Sequence, residues 1–136
     1  MVGPVKVVLY VSTSARDTDF TAKLVDVFPD GRARILTDGI LRLRYRKSLD
    51  RAELAVPGEI EEITIDAGET ANVFLKGHRV RVEVSSSNFP KFDRNANTGG
   101  SIADETRLLR ANQKVYHGGA RGSRVELMTI AAGRRD

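Results

Sequence analysis

Apolar residues return at every second position in segment after segment of this chain. Val5, Val7, Leu9 and Val11 form one row, with Val8 and Tyr10 partly apolar opposite, the pattern of a strand buried on both faces. Phe20, Ala22 and Leu24 alternate with Thr21 and Lys23; Leu41, Leu43 and Tyr45 alternate with Arg42, Arg44 and Arg46. Ile63 and Ile65 alternate with Glu62, Thr64 and Asp66, and Val80, Val82 and Val84 with Arg79, Arg81 and Glu83. Val125 and Leu127 close the series between Arg124 and Glu126. The separators are turn formers: Pro29-Asp30-Gly31, Asp38-Gly39, Pro57-Gly58, Ala67-Gly68, Lys76-Gly77 and Gly118-Gly119. Short strands at this spacing predict an all-β fold, an antiparallel β-sandwich or jelly roll. One short helix is expected where Ser101 can cap it, with Asp104 three residues on and Leu108-Leu109 facing inward.

The period-2 signal lapses after Val84 and returns only at Lys114-Val115-Tyr116. Structureless connections longer than about 12–15 residues are uncommon in compact domains and tend to be functional. This one holds two aromatics, a proline and a run of Asx residues that form turns with their own backbone, so it is expected to be ordered. Two readings of it stand side by side. It is a self-packed loop with Phe89 and Phe92 tucked beneath, sealing one end of the sandwich. Or it is an interface or pocket loop of Asn88, Phe89, Pro90, Lys91, Phe92, Asp93, Arg94, Asn95 and Asn97. Phe89-Pro90 and Phe92 would then be the apolar anchors, and Lys91, Asp93 and Arg94 their polar surround.

Composition narrows the field. No cysteine is present, so there is no disulfide framework and no thiolate metal site, which suits a reducing compartment. No apolar run approaches the roughly 20 residues of a membrane span, and the N-terminus lacks the layout of a signal peptide. The chain is read as soluble and cytoplasmic, with no membrane partner. Twenty-two Lys and Arg against 18 Asp and Glu make it modestly basic.

Four kinds of chemistry compete with plainer structural explanations of the same residues. Gly99-Gly100-Ser101-Ile102-Ala103 falls one glycine short of a nucleophile elbow, and no buried strand precedes it. Ser101 is read as a helix cap, and with only His78 and His117 as bases no catalytic residue is assigned. Asp93, Asn95, Asn97 and Asp104 occupy calcium-loop spacings, but Thr98 stands where that loop needs glycine. Asx turns explain the same residues, so no metal or cofactor is expected. Arg42, Arg44 and Arg46 on one strand face, with Arg79 and Arg81 on another, could track phosphates. Glu61, Glu62 and Glu83 interrupt those faces, and solvated arginines, or arginines paired to an acidic partner domain, are favoured over nucleic acid. A sugar platform has a thin supply of aromatics: there is no Trp, Tyr10 and Tyr45 sit in strand patterns, and Tyr116, Phe89 and Phe92 are left as possible platforms.

Ser86-Ser87-Asn88-Phe89-Pro90-Lys91-Phe92-Asp93-Arg94-Asn95 with Asn97-Thr98-Gly99-Gly100 resembles the C-terminal domain of the X-Pro dipeptidyl-peptidase and cocaine-esterase-like serine hydrolases. Gly3-Pro4-Val5, Ser14 to Phe20, Lys23 to Val27, Pro29 to Ala33, Leu36 to Ile40, Arg44-Tyr45-Arg46, Asn72-Val73-Phe74 and Gly77-His78-Arg79 agree in order and spacing. The resemblance runs from about Gly3 to Ile130. It implies a non-catalytic, galactose-binding-like jelly roll with at most one or two short helices; the domain is expected to span residues 1–132, and the Gly133-Arg134-Arg135-Asp136 tail reads as frayed from its own residues. It implies as partner an α/β-hydrolase domain carrying a Ser-Asp-His triad, which this domain would stabilise and whose substrate pocket it would border. The alternative is a free-standing carbohydrate- or small-ligand-binding jelly roll. Domains of that family usually begin further upstream, so strands are expected to be missing and the Val5–Val11 strand to be an open edge. An open edge recruits another strand, so a homo-oligomer is expected, with the N-terminal strand or the Asn88–Asn97 loop in its interface.

Overall fold

The computed structural model describes residues 1–130. Residues 133–136, expected to fray, lie outside the described residues, as do the last two of the span expected to form the domain. The described residues form seven strands: β1 (Val2–Thr13), β2 (Asp19–Val27), β3 (Ala33–Arg42), β4 (Glu61–Ala71), β5 (Arg79–Ser85), β6 (Gln113–Tyr116) and β7 (Arg124–Leu127). They make two antiparallel sheets. One is β4-β1-β6 with β7 also on β1; the other is β3-β2-β5. Chain order crosses between the sheets at β1–β2, β3–β4, β4–β5 and β5–β6, the connectivity of a jelly-roll sandwich.

The alternation read from the sequence builds the core. Val7, Leu9 and Val11 of β1, Phe20 and Ala22 of β2, and Ile63 and Ile65 of β4 are buried together with Leu43 and Ala55. A smaller cluster of Val5, Leu24 and Ala67 continues it toward the other end, with Val82, Val125 and Leu127 packed against it. Burying side chains of this size contributes about 1.5–3 kcal/mol each.

β1 is the centre of its sheet, not an open edge. β4 pairs one side of it from Val2↔Ala71 to Val11↔Glu61. β6 and β7 share the other, at Tyr10↔Tyr116 to Thr13↔Gln113 and Val5↔Leu127 to Val8↔Arg124. Both edges of β1 are thus paired, and Val8 opposite the main row is buried as well.

Two local expectations are also corrected. The alternation through Leu41 to Arg46 does not continue as a strand: β3 ends at Arg42, and Leu43–Tyr45 form a single 3₁₀ turn. The cause is a buried acid. Asp17 Oδ1 accepts the Arg44 backbone N–H at 2.9 Å, and Thr18 O accepts that of Leu43 at 2.9 Å, so the backbone turns. After Ser101 there is only a turn and no helix. Ser101 does donate to Asp104 at 3.0 Å, but Glu105 then captures the Arg107 N–H and Leu109 N–H goes to Ala96 O. These bonds compete with helical ones.

On one side the sandwich is shut by the approach of β3 to β4. The Thr37 hydroxyl donates to Ala67 O, and a Cβ on Gly39 would stand 2.0 Å from Asp66 O. No side chain fits there, and backbone cannot retreat as a flexible side chain could. Gly39→Ala is therefore expected to lose about 2 kcal/mol of stability, read as a lower urea midpoint at unchanged slope.

Candidate functional site

The connection from Ser86 to Asn112 is held by two buried carboxylates. β1 turns into β2 through Ala15 to Asp19, and that turn places Asp17 and Asp19 inside the molecule with Phe20 beyond them. A buried carboxylate is tolerable only when its charge is matched and its lone pairs are filled. Both conditions are met. Arg44 Nε donates to Asp17 Oδ2 at 2.7 Å, and Arg42 holds Asp19 with two bonds, Nε to Oδ1 at 2.9 Å and Nη2 to Oδ2 at 3.0 Å. That fork is a bidentate pair, the strong geometry for arginine and carboxylate, and the bond to Asp19 raises the Arg42 guanidinium above its ordinary value.

Asn95 completes the arrangement from the loop. Its Nδ2 donates to Asp17 Oδ2 at 2.9 Å and to Asp19 Oδ1 at 2.8 Å, so one amide bridges both acids. The arginines reach outward too. Arg44 Nη2 donates to Gly100 O at 3.0 Å and Arg42 Nη2 to Asp93 O at 3.3 Å. The loop is thus clamped at Asp93, Asn95 and Gly100 by groups rooted in the β1–β2 turn, β2, β3 and the turn after β3.

Within the loop, Asn95 Oδ1 accepts the Asn97 N–H at 2.9 Å, an Asx turn. Asn97 has φ 62°, a left-handed conformation that asparagine tolerates, and its Nδ2 donates to Leu109 O at 2.8 Å. Thr98 accepts the Gly100 N–H at 3.0 Å. The Arg107 N–H and the Thr98 hydroxyl hold Glu105 below the usual carboxylate range. Arg44, Arg94, Asn95, Ser101 and Glu105 face a cleft of about 170 Å³.

The first half of the loop rests on β3. Asp38 accepts from Asn88 Nδ2 at 2.8 Å and from Lys91 Nζ at 2.7 Å, and Lys91 lies 5.4 Å over the Phe92 ring. Phe92 is half-buried, whereas Phe89 is 65% exposed and Pro90 is exposed beside it. Of the nine residues read as the interface or pocket loop, Asn95 and Asn97 fix the backbone, Asn88 and Lys91 tie it to β3, and Asp93 lends its carbonyl. Phe89, Pro90 and Arg94 project from it.

The arginine row resolves differently from its sequence pattern. Arg42, Arg44 and Arg46 pair with Asp19, Asp17 and Glu61 of the same chain rather than facing solvent or another domain. Ser101 is bonded to Asp104, and His78 Nδ1 pairs with the buried Asp26 at 2.8 Å. Tyr116 OH is engaged with Ser12 Oγ at 3.1 Å. Asp17 and Asp19 were the residues sequence reasoning left out, although two acids flanking Thr18 directly before Phe20 are a detectable signal of a buried polar pair. No helix among the described residues is long and apolar enough to cross a membrane. Among the described residues, no three His, Cys, Asp or Glu are grouped to hold a metal ion.

In this jelly-roll sandwich two buried acids and their arginines fix one long loop. The chain belongs to the family described as the X-Pro dipeptidyl-peptidase C-terminal non-catalytic domain, whose model matches residues 1–126. It is 55% identical over 130 residues to cocaine esterase of Rhodococcus sp. (strain MB1 Bresler), a match covering 94% of this chain and 23% of that protein. Among solved structures it resembles an aminopeptidase from a marine sediment Thaumarchaeota archaeon, with TM-score 0.91, 32% identity, and 96% of this chain but 23% of that one covered. It also resembles an α-amino acid ester hydrolase, with TM-score 0.86, 29% identity, and 91% and 23% covered. The chain spans about a quarter of the length of each of these relatives.

Proposed function

We propose that this chain serves as the accessory β-domain of a serine hydrolase acting on esters or peptides. The reaction belongs to a separate α/β-hydrolase domain, which this domain stabilises and whose substrate pocket it borders. The observation that carries the reading is the contrast at the loop: Phe89 stands 65% exposed on a backbone that Asn95 fixes to two buried acids. An exposed aromatic on an ordered loop has already lost its conformational freedom and can dock at little further entropic cost. Residues 1–132 act as one unit in this role, in the cytoplasm, with no cofactor and with neither nucleic acid nor membrane as partner.

The test exchanges this chain for the matching region of the Rhodococcus cocaine esterase. The chimera is expected to hydrolyse a chromogenic ester, while the 136-residue chain alone turns over neither that ester nor an X-Pro anilide. Turnover by the chain alone that disappears in Ser101→Ala would refute the assignment. A chimera that folds but has no activity would count equally against it.

A further inference from the structure

The cleft inside the Ser86–Asn112 loop holds charge that the fold does not spend. Nearby ionic side chains pair off within the chain: Arg42 with Asp19, Arg44 with Asp17, Lys91 with Asp38. Arg94 and Glu105 differ. Both face the cleft of about 170 Å³, yet among the described residues neither forms an ion pair, with the other or with any third group.

Glu105 is half-buried and held as an anion. Its Oε1 accepts the Arg107 N–H at 2.9 Å, and that bond together with the Thr98 hydroxyl keeps the carboxyl below the usual range. A carboxylate offers about four acceptor sites, so this one can still take an ammonium group. Positive charge lines the same cleft. Arg44 is fixed there by Asp17 Oδ2 at 2.7 Å and Gly100 O at 3.0 Å, whereas the exposed Arg94 keeps its fork free for a carboxylate. Ile102 and Leu108 add apolar surface. The volume is on the order of that of six water molecules, room for one amino acid and not for a longer peptide. Gly100 keeps space for the acid: a Cβ on it would stand 2.9 Å from Glu105 Oε2 and 3.3 Å from Thr98 Oγ1.

A plain anion entering this cleft would meet Glu105, and a plain cation would meet Arg94 and Arg44. Like charges brought together this way cost affinity, whereas a molecule carrying both signs a few bonds apart satisfies both groups. From these unspent opposite charges we infer that the loop cleft binds a free α-amino acid, its carboxylate on Arg94, its ammonium on Glu105 and its side chain against Ile102 and Leu108. The site is built from the loop and from Arg44 of the 3₁₀ turn, all within this chain, and it does not rest on the accessory-domain assignment.

Titration of L-leucine into the isotope-labelled 136-residue chain, followed by amide chemical shifts, tests the inference. Saturable shifts are expected in residues 94–108 and at Arg44, with a Kd on the order of millimolar. L-leucinamide, which lacks the carboxylate, and N-acetyl-L-leucine, which lacks the ammonium, should each bind at least about tenfold more weakly. Arg94→Gln and Glu105→Gln should each weaken L-leucine to the same extent, and Arg94→Gln should do so at an unchanged melting temperature. Gly100→Ala alters no charge but displaces Glu105, and should weaken binding likewise. Absence of saturable shifts would overturn the inference, as would shifts centred outside the loop or equal binding of the two derivatives. The chimera with the Rhodococcus esterase should bind L-leucine at the same residues. Binding by the chain that vanishes in the chimera would mean that the hydrolase domain fills the cleft, and would overturn it too.

Discussion

Asp17→Ala is expected to destabilise the chain by about 3–5 kcal/mol, the cost typical of removing one partner from a buried ion pair. Arg44 would keep its guanidinium in a nearly buried position with no carboxylate beneath it, since its side chain is only 11% exposed. The loss would spread beyond the pair. Asp17 also accepts the Arg44 N–H that ends β3 and shares the Asn95 amide with Asp19. Domains of this size are usually stable by only about 5–15 kcal/mol, so the variant would approach the unfolding threshold. Asp17→Asn retains an acceptor for the Arg44 N–H and should cost clearly less. Urea denaturation of the two variants side by side checks both the size and the order.

Asn95→Leu is expected to cost about 3 kcal/mol, and to do so unevenly over the molecule. Leucine has similar volume but donates nothing, so two buried carboxylates each lose a bond, and hydrogen bonds to charged groups are worth about 1.5–3 kcal/mol apiece. The remaining arginine pairs keep the acids neutralised, which holds the total below the sum. The loop should be released before the sheets. Amide hydrogen exchange in residues 88–109 is expected to rise toward that of unprotected backbone while β1 and β2 stay protected. Uniform loss of protection across both sheets would mean that Asn95 supports the core rather than the loop.

The strands were legible because alternation is a local property. Val5 to Val11 and Val80 to Val84 announce their faces without reference to any other part of the chain. The expectation of burial on both faces of β1 held only in part: Val8, opposite the first row, is buried, while Lys6 is exposed and Tyr10 half-buried on that same face. The edge assignment failed because which strands flank β1 is a matter of long-range pairing, not of its own residues. The arginines misled for a related reason. Arg42, Arg44 and Arg46 repeat every second residue like a strand face, but their spacing is interrupted by an acid 27 residues away that captures the Arg44 backbone. The loop's length and Asx content rightly indicated order. Its anchor was out of reach, because Asn95 and Asp17 stand 78 residues apart and nothing in either neighbourhood names the other. The exposure of Phe89 and the half-burial of Phe92 likewise depend on where that anchor sets the backbone.

The proposed docking role is tested most directly by Phe89→Ser measured in two settings. In the isolated chain Phe89 is mostly exposed, so the substitution should leave the melting temperature unchanged to within about 1 °C. In the chimera with the Rhodococcus esterase the same substitution should lower the inactivation temperature by several degrees, because an anchor between the two domains has been removed. An equal fall in both settings would make Phe89 a part of the loop's own packing. No change in the chimera would show that the loop does not dock there.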